Sequence, residues 1–390
     1  MNNDAHTLKC CRILRQLSPS SRCKDIFDYS WMSSITVGVK YYRFSLSWAR
    51  ILPKGTADNV NPKGIEYYNK LIDELLKNGI KPMVTLYHWD LPQNLEDMGG
   101  WLNFTISDIF GDYARVCFKN FGDRVKFWAT LNEPWVSAVI GYGNGIHAPG
   151  ISRPKDGMYL AGHTLLLAHG KAWHVYDREF RQTQKGRVSI VLNSDYHFPQ
   201  KNEDASLKAA KRGMEWTLGW FANPIYINGD YPEVMKTLIA KHSKIEGIPN
   251  RLPQFTAEEK KMLKGTADFF GLNHYTSVMC GNLTHFDNIS AVDWNYWIDS
   301  ETYNYKDGSW LKGAPNWLAK VPLGLRKLLS YIKENYGDPE IYITENGWSE
   351  KGEDQRVGEA ALNDTERVGY YTDYINEALK ATLLDGVNLK

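Results

Sequence analysis

Six short apolar runs recur along this chain, with helical patterns set between them. The candidate strands are Tyr41–Leu46, Met83–Tyr87, Lys126–Leu131, Arg187–Leu192, Ala267–Leu272 and Glu340–Thr344. The helical patterns include Ser107–Phe121, Tyr159–Phe180 and Leu323–Asn335. Strands that alternate with helices imply a mostly parallel sheet with both faces covered. Right-handed crossovers then leave two solutions: a sheet that winds open, or one that closes into a barrel.

Two helices can be read closely. In the first, Asn61 suits the N-cap and Pro62 the first helical position. Ile65, Tyr68, Ile72, Leu75 and Leu76 follow at helical spacing, and Gly79 suits the position just past the end. The last helix is expected to begin near Asn363, with Glu366 placed for a capping box. It continues through Val368, Tyr371, Ile375, Leu379 and Leu383.

Polar residues choose between barrel and open sheet. They cluster where four strands run out: His88-Trp89-Asp90, Asn132-Glu133, Asn273-His274-Tyr275 and Glu345-Asn346. Open α/β sheets bind ligands at that edge. Four widely spaced strand ends converging on one pocket, however, favour a closed (β/α) barrel, whose site is built from C-terminal strand ends. No Gly-rich phosphate loop follows any strand, which leaves nucleotide chemistry without support.

Composition narrows the partners. The 390 residues suffice for one large domain or two ordinary ones. A net charge of +1 gives no electrostatic case for nucleic acid or an acidic membrane surface. No run of 18 apolar residues appears, so no membrane span is expected. The cysteines are Cys10, Cys11, Cys23, Cys117 and Cys280, a set with neither metal-ligand spacing nor a disulfide framework. The first residues, "MNNDAHTLKCCRILRQL", contain no apolar stretch of signal-peptide length. Yet Asn103, Asn282, Asn288 and Asn363 head N-x-S/T sequons, which are acceptors only on the secretory route.

Two strand-end glutamates permit a specific chemistry. Glycoside hydrolysis needs two carboxyl groups flanking the scissile bond, one to protonate the leaving oxygen and one to attack or to activate water. Their pKa values must differ, which their surroundings supply. Glu133 suits the acid, with Asn132 beside it to bond a substrate hydroxyl and Pro134 fixing the chain as it leaves the strand. Glu345 suits the nucleophile, with Arg43 and Tyr275 as donors that keep it ionised. A lone glutamate at a strand end is ordinarily a cap or a salt bridge; the flanking sequence sets these two apart. His88 is either a donor to a sugar hydroxyl or a satisfied core histidine. A zinc role finds no second histidine at ligand spacing, and serine hydrolysis finds no G-x-S-x-G elbow.

Seven stretches, in order, resemble glycoside hydrolase family 1. They are "YYRFSLSWARILP" (41–53), "YHWDLPQNLEDMGGW" (87–101), "TLNEPW" (130–135), "GYGNGIHAPG" (141–150), "FANPIYINGDYP" (221–232), "DFFGLNHYTS" (268–277) and "IYITENGW" (341–348). The likeness is to the animal β-glucosidases and lactase–phlorizin repeats of the family. The resemblance implies a (β/α)8 TIM barrel and a retaining β-glycosidase acting on a β-glucoside or β-galactoside, with no cofactor and no metal. It implies Glu133 as acid/base, Glu345 as nucleophile, and His88 and Asn132 as sugar ligands. Arg43, Asn273 and Tyr275 would orient and tune the nucleophile, with Trp135 and Trp348 as pocket neighbours. Thioglucosidases of plants in this family replace the acid glutamate with glutamine; this chain keeps Glu133. Secretion is what the resemblance implies for location.

The chain also departs from the family pattern. It lacks the opening strand with its Gln-Ile-Glu-Gly motif, and residues 1–36 match nothing expected there. It stops at "DGVNLK" (385–390), where the family continues into a final strand carrying Trp and Glu ligands. The expectation is therefore an incomplete barrel of about six strands over residues 37–390, without the first and last. A poorly ordered segment over 1–36 would precede it. Open edges and lost sugar ligands would lower turnover by orders of magnitude. The rival readings are an inactive truncated product or sugar-binding pseudoenzyme, and a thioglucosidase.

Overall fold

A computed structural model of the chain describes residues 38–283 and 294–390. The segment 1–36, with Cys10, Cys11 and Cys23, lies outside the described residues, as does the sequon at Asn288. The strands in chain order are β1 (Tyr41–Ser45), β2 (Lys81–Tyr87), β3 (Phe127–Asn132), β4 (Arg187–Asn193), β5 (Tyr196–Pro199), β6 (Phe270–Asn273), β7 (Ser277–Asn282), β8 (Thr302–Tyr305) and β9 (Ile341–Glu345). The six expected from sequence make one parallel sheet in the order β1-β2-β3-β4-β6-β9. Several run one residue past their apolar stretch, so Asn132, Asn273 and Glu345 end strands rather than begin loops.

The sheet is curled into a half-barrel. Phe127 of β3 meets Tyr41 of β1 at 5.8 Å and Tyr342 of β9 at 5.6 Å between ring centroids. Three non-adjacent strands thus share one interior. Arg187 fills it at the N-terminal ends, over the rings of Phe127, Phe269 and Tyr342, and pairs with Glu340. This packed floor closes one end of the curl, as side chains fill the interior of small barrels. Among the described residues β1 and β9 do not pair with each other, matching the expected open edges. The outer edge of β9 has a partner at its start, however. Ile341 N–H donates to Asn388 O at 2.9 Å, and Lys390 N–H to Ile341 O at 3.0 Å.

The helix Pro62–Lys77 forms as its sequence dictates. Asn61 accepts from Lys63 N–H, and Gly79 takes the left-handed φ of +71° that ends the helix. The last helix, Thr365–Leu383, corrects two expectations. Its first turn has no capping box: Asp364 is the N-cap, so Glu366 is the second helical residue and accepts the indole N–H of Trp348, while Arg367 Nη1 donates to both carboxylate oxygens of Asp364. Its apolar stripe of Val368, Tyr371, Ile375, Leu379 and Leu383 faces outward, while Tyr370, Tyr374 and Ala381 are buried. The inward face is chosen by phenols that find backbone partners, described below. A second sheet of β5, β7 and β8 went unread from sequence, because its strands, YHFP, SVMCGN and TYNY, are broken by polar residues, glycine and proline instead of forming continuous apolar runs.

Candidate active site

The C-terminal ends of the strands carry one continuous polar network. From β1, Arg43 Nη1 reaches Glu345 Oε1 at 2.6 Å and Nη2 reaches Asn132 Oδ1 at 2.6 Å. It therefore ties the first strand of the sheet to the last. From β6, Asn273 Nδ2 donates to Glu133 Oε1 at 2.6 Å and to Asn132 Oδ1 at 3.1 Å. Thr344 donates to Asn273 Oδ1 at 2.7 Å, which fixes that amide with its nitrogen toward Glu133. Tyr275 donates to Glu345 Oε2 at 2.6 Å. Seven of the residues singled out in the sequence thus converge, Glu133, Glu345, Arg43, His88, Asn132, Asn273 and Tyr275, but Asn273, expected on the nucleophile, bonds the acid instead.

The network also sets a tautomer. Asn132 Oδ1 is occupied by two donors, so its Nδ2 is the group that faces His88 Nε2 at 3.0 Å. Nε2 must then accept, leaving the ring proton on Nδ1. Burial lowers the His88 pKa, and nearby Arg43 adds to that against the pull of Glu345. The neutral ring required by the hydrogen bond is the form its surroundings favour.

The two carboxyl groups are driven in opposite directions. Glu133 is buried, and burial, assisted by the charge of Glu345, pushes its pKa up to about 7 against the hydrogen bond from Asn273. Burial also works against the charge of Glu345, but Arg43 and the hydrogen bond from Tyr275 outweigh it and hold the pKa below the ordinary value. At neutral pH this places a proton-bearing acid beside an ionised carboxylate.

The backbone at the acid is strained. Glu133 sits at φ +46° and Trp89 at φ +76°, both left-handed and neither glycine. Trp89 Nε1 donates to Asn132 O at 3.0 Å and so clamps the strand end just before Glu133. Sequence reading placed Trp89 in the cluster but did not find this role, nor that of Thr344. It also missed Trp317, half exposed and edge-on to Tyr275 at 5.8 Å. Trp135 and Trp348 stand outside the network. Trp135 donates to Tyr296 at 3.1 Å, and Trp348 is buried against Tyr370. Among the described residues no group of three or more His, Cys, Asp and Glu is placed to hold a metal.

The raised Glu133 pKa has a consequence for stability. The folded chain holds that proton to about pH 7, whereas the unfolded carboxyl loses it near 4.5. The contribution of this proton to stability is therefore fully present below pH 4.5 and is lost as pH rises through 7, by about 3 kcal/mol. Glu133→Gln keeps an acceptor for Asn273 and removes that loss. Denaturant unfolding at pH 8 is expected to show the variant more stable than the parent, with the gain shrinking toward pH 5. An equal difference at both pH values contradicts the assignment.

The Glycosyl hydrolase family 1 model matches residues 28–390. The chain belongs to this family. The match begins upstream of the boundary drawn from sequence between residues 36 and 37. Among curated relatives, cytosolic beta-glucosidase of Homo sapiens is 48% identical over 91% of this chain and 73% of its own length. Lactase/phlorizin hydrolase of Homo sapiens is also 48% identical over 91% of this chain, which spans only 18% of that longer protein. Among solved structures, aphid myrosinase superposes with a TM-score of 0.84 at 43% identity, covering 93% of this chain and 76% of that one. A rice beta-glucosidase superposes with a TM-score of 0.85 at 38% identity, covering 92% and 77%. A glutamate-to-glutamine mutant of that rice enzyme is described as a covalent complex with glucose. The curled six-stranded sheet is accordingly part of a TIM barrel. No helix among the described residues is long and apolar enough to cross a membrane.

Proposed function

We propose that residues 37–390 act as one catalytic domain that hydrolyses the terminal β-D-glucosyl, or galactosyl, residue of O-glycosides with retention. The observation that carries this reading is the opposite tuning of Glu133 and Glu345 within one hydrogen-bonded network. Glu345 attacks the anomeric carbon from the face opposite the aglycone. Glu133 gives its proton to the glycosidic oxygen as the C1–O bond breaks, and the aglycone leaves as an alcohol. The sugar is then an ester of Glu345, whose negative charge is gone. One cause of the raised Glu133 pKa disappears with it, so Glu133 now ionises readily and serves as the base. It takes a proton from water, the water oxygen attacks C1, and Glu345 leaves as a carboxylate. Two inversions give net retention. Asn132 and His88 hold glycone hydroxyls, Arg43 and Tyr275 keep Glu345 charged, and Asn273 orients Glu133. No cofactor or metal takes part.

Hydrolysis of a chromogenic β-glucoside by this chain, beside Glu345→Gln, tests the reading. Turnover lost in the variant supports it. Binding of glucose without turnover supports a pseudoenzyme instead. A thioglucoside cleaved faster than the O-glucoside supports a thioglucosidase, which the retained Glu133 disfavours. The pH profile of kcat/KM is expected to be bell-shaped. It falls on the acid side as Glu345 protonates and on the alkaline side near pH 7 as Glu133 loses its proton. A rate still rising well above pH 8 contradicts Glu133 as the acid. The secretory route is the compartment we propose from the sequons. Asn363 is exposed, and a mass loss on treatment with an N-glycosidase reads its glycosylation.

A further inference from the structure

Tyr275 gives its hydroxyl to Glu345, and its own carbonyl is held from the other side by the last helix. Tyr370 Oη donates to Tyr275 O at 2.7 Å, and Tyr374 Oη donates to the same oxygen at 3.1 Å. The two tyrosines lie one helical turn apart, with ring centroids 4.0 Å apart and nearly parallel planes. Both are buried. Each phenol has a second bond. Tyr370 Oη accepts from Asn346 Nδ2 at 2.9 Å, and Tyr374 Oη accepts from Val321 N–H at 3.1 Å. Asn346, the residue after Glu345, also reaches His274 O at 2.7 Å.

The paired register of β6 and β9 ends at Asn273 and Glu345. Tyr275 and Asn346 lie just beyond it, where no strand fixes their backbones. A carbonyl oxygen has two lone pairs, and here two phenols fill both. That fixes the plane of the peptide following Tyr275, and with it the direction in which the Tyr275 ring leaves the chain. We infer that Tyr370 and Tyr374 are positioning residues that lock the Tyr275 hydroxyl onto Glu345 from behind the site. The inference rests on the reading of Glu345 as the nucleophile. Without the two phenols, a part-buried carbonyl loses both of its donors and its peptide turns to find another. The Tyr275 hydroxyl then leaves its place on Glu345, although neither tyrosine touches the carboxylate.

Tyr370→Phe/Tyr374→Phe tests this, since it keeps the stacked rings and removes only the hydroxyls. Tyr226→Phe is the control: Tyr226 donates to Phe269 O at 2.9 Å, the same kind of bond at the other end of β6. Two readouts are taken on chains that melt cooperatively. The first is the titration of Glu345 by carbon NMR of side-chain-labelled glutamate, its signal identified by its absence in Glu345→Gln. The second is the rate of covalent labelling by 2-deoxy-2-fluoro-β-glucosyl fluoride. In the double variant the Glu345 midpoint is expected to rise by about one pH unit. Labelling is expected to slow on the order of tenfold or more. Tyr226→Phe moves neither. If the double variant does not fold, Tyr374→Phe leaves one of the two bonds and is expected to shift both readouts in the same direction by less. A double or single variant that matches Tyr226→Phe in both readouts overturns the inference. A parent that never labels, with the midpoint still shifted in the variant, overturns the glycosidase reading and leaves the positioning role standing.

Discussion

Glu345→Gly is expected to lower turnover of an aryl β-glucoside by roughly 10⁴-fold or more, and sodium azide is expected to restore part of it. Arg43 and Tyr275 each hold one oxygen of this carboxylate at 2.6 Å, so its removal leaves two donors facing an opening. A small anion can occupy that opening and attack C1 from the face Glu345 used. With no ester formed, the sugar inverts once. The product is therefore the α-glucosyl azide, while the parent releases β-glucose first; a carboxylate acting only as a base for water would make the parent release α-glucose. Proton NMR of the anomeric region distinguishes the outcomes. A β-azide, or no rescue beside a full loss, contradicts the nucleophile assignment.

Glu133→Ala is expected to behave according to the leaving group. Proton donation to the glycosidic oxygen is worth roughly 10²–10⁴-fold where the alcohol is a poor leaving group. An alkyl glucoside should suffer that loss. A dinitrophenyl glucoside, whose phenolate departs unaided, should still load Glu345 quickly and show a burst. The second step then lacks its base, and steady-state turnover falls. Azide needs no base, so it should speed that step and give the β-glucosyl azide by double inversion. The alkaline limb near pH 7 should also vanish, because the proton that titrates there is gone. Equal losses for both substrates contradict the role.

Much of this site was legible in the sequence because it sits at strand ends. A short apolar run that stops on Asn132-Glu133 or Glu345-Asn346 marks where a parallel sheet opens, and parallel order follows from the helices between. The donors Arg43 and Tyr275 to Glu345 are legible too, although Arg43 lies 302 positions away. What sequence could not supply was the second bond of that guanidinium, to Asn132 Oδ1. The same holds for Thr344, whose hydroxyl decides which end of the Asn273 amide faces Glu133.

The last helix forms where expected, over Thr365–Leu383, but its buried face is not its apolar stripe. Its apolar period points through Val368, Ile375 and Leu379, yet its buried face belongs to Tyr370 and Tyr374. A periodicity reading counts Tyr371 with the apolar stripe but does not see that Tyr370 and Tyr374 turn inward, where their phenols reach the Tyr275 carbonyl. Glu366 failed likewise, because the N-cap is Asp364 and the third helical position falls to Arg367, which leaves Glu366 to accept from Trp348. Trp135 and Trp348 share a motif with the catalytic pair, but adjacency in a motif does not fix where an indole points.

The central claim is that Glu345 forms a bond to the sugar in this chain. Mass spectrometry after incubation with 2-deoxy-2-fluoro-β-glucosyl fluoride tests it most directly, because the 2-fluorine slows both steps while the fluoride leaving group speeds the first, so the ester accumulates. The expected result is one adduct per chain, on the peptide that contains Glu345, absent from Glu345→Gln. An adduct on Glu133 instead, or none on a chain that melts cooperatively, contradicts the account.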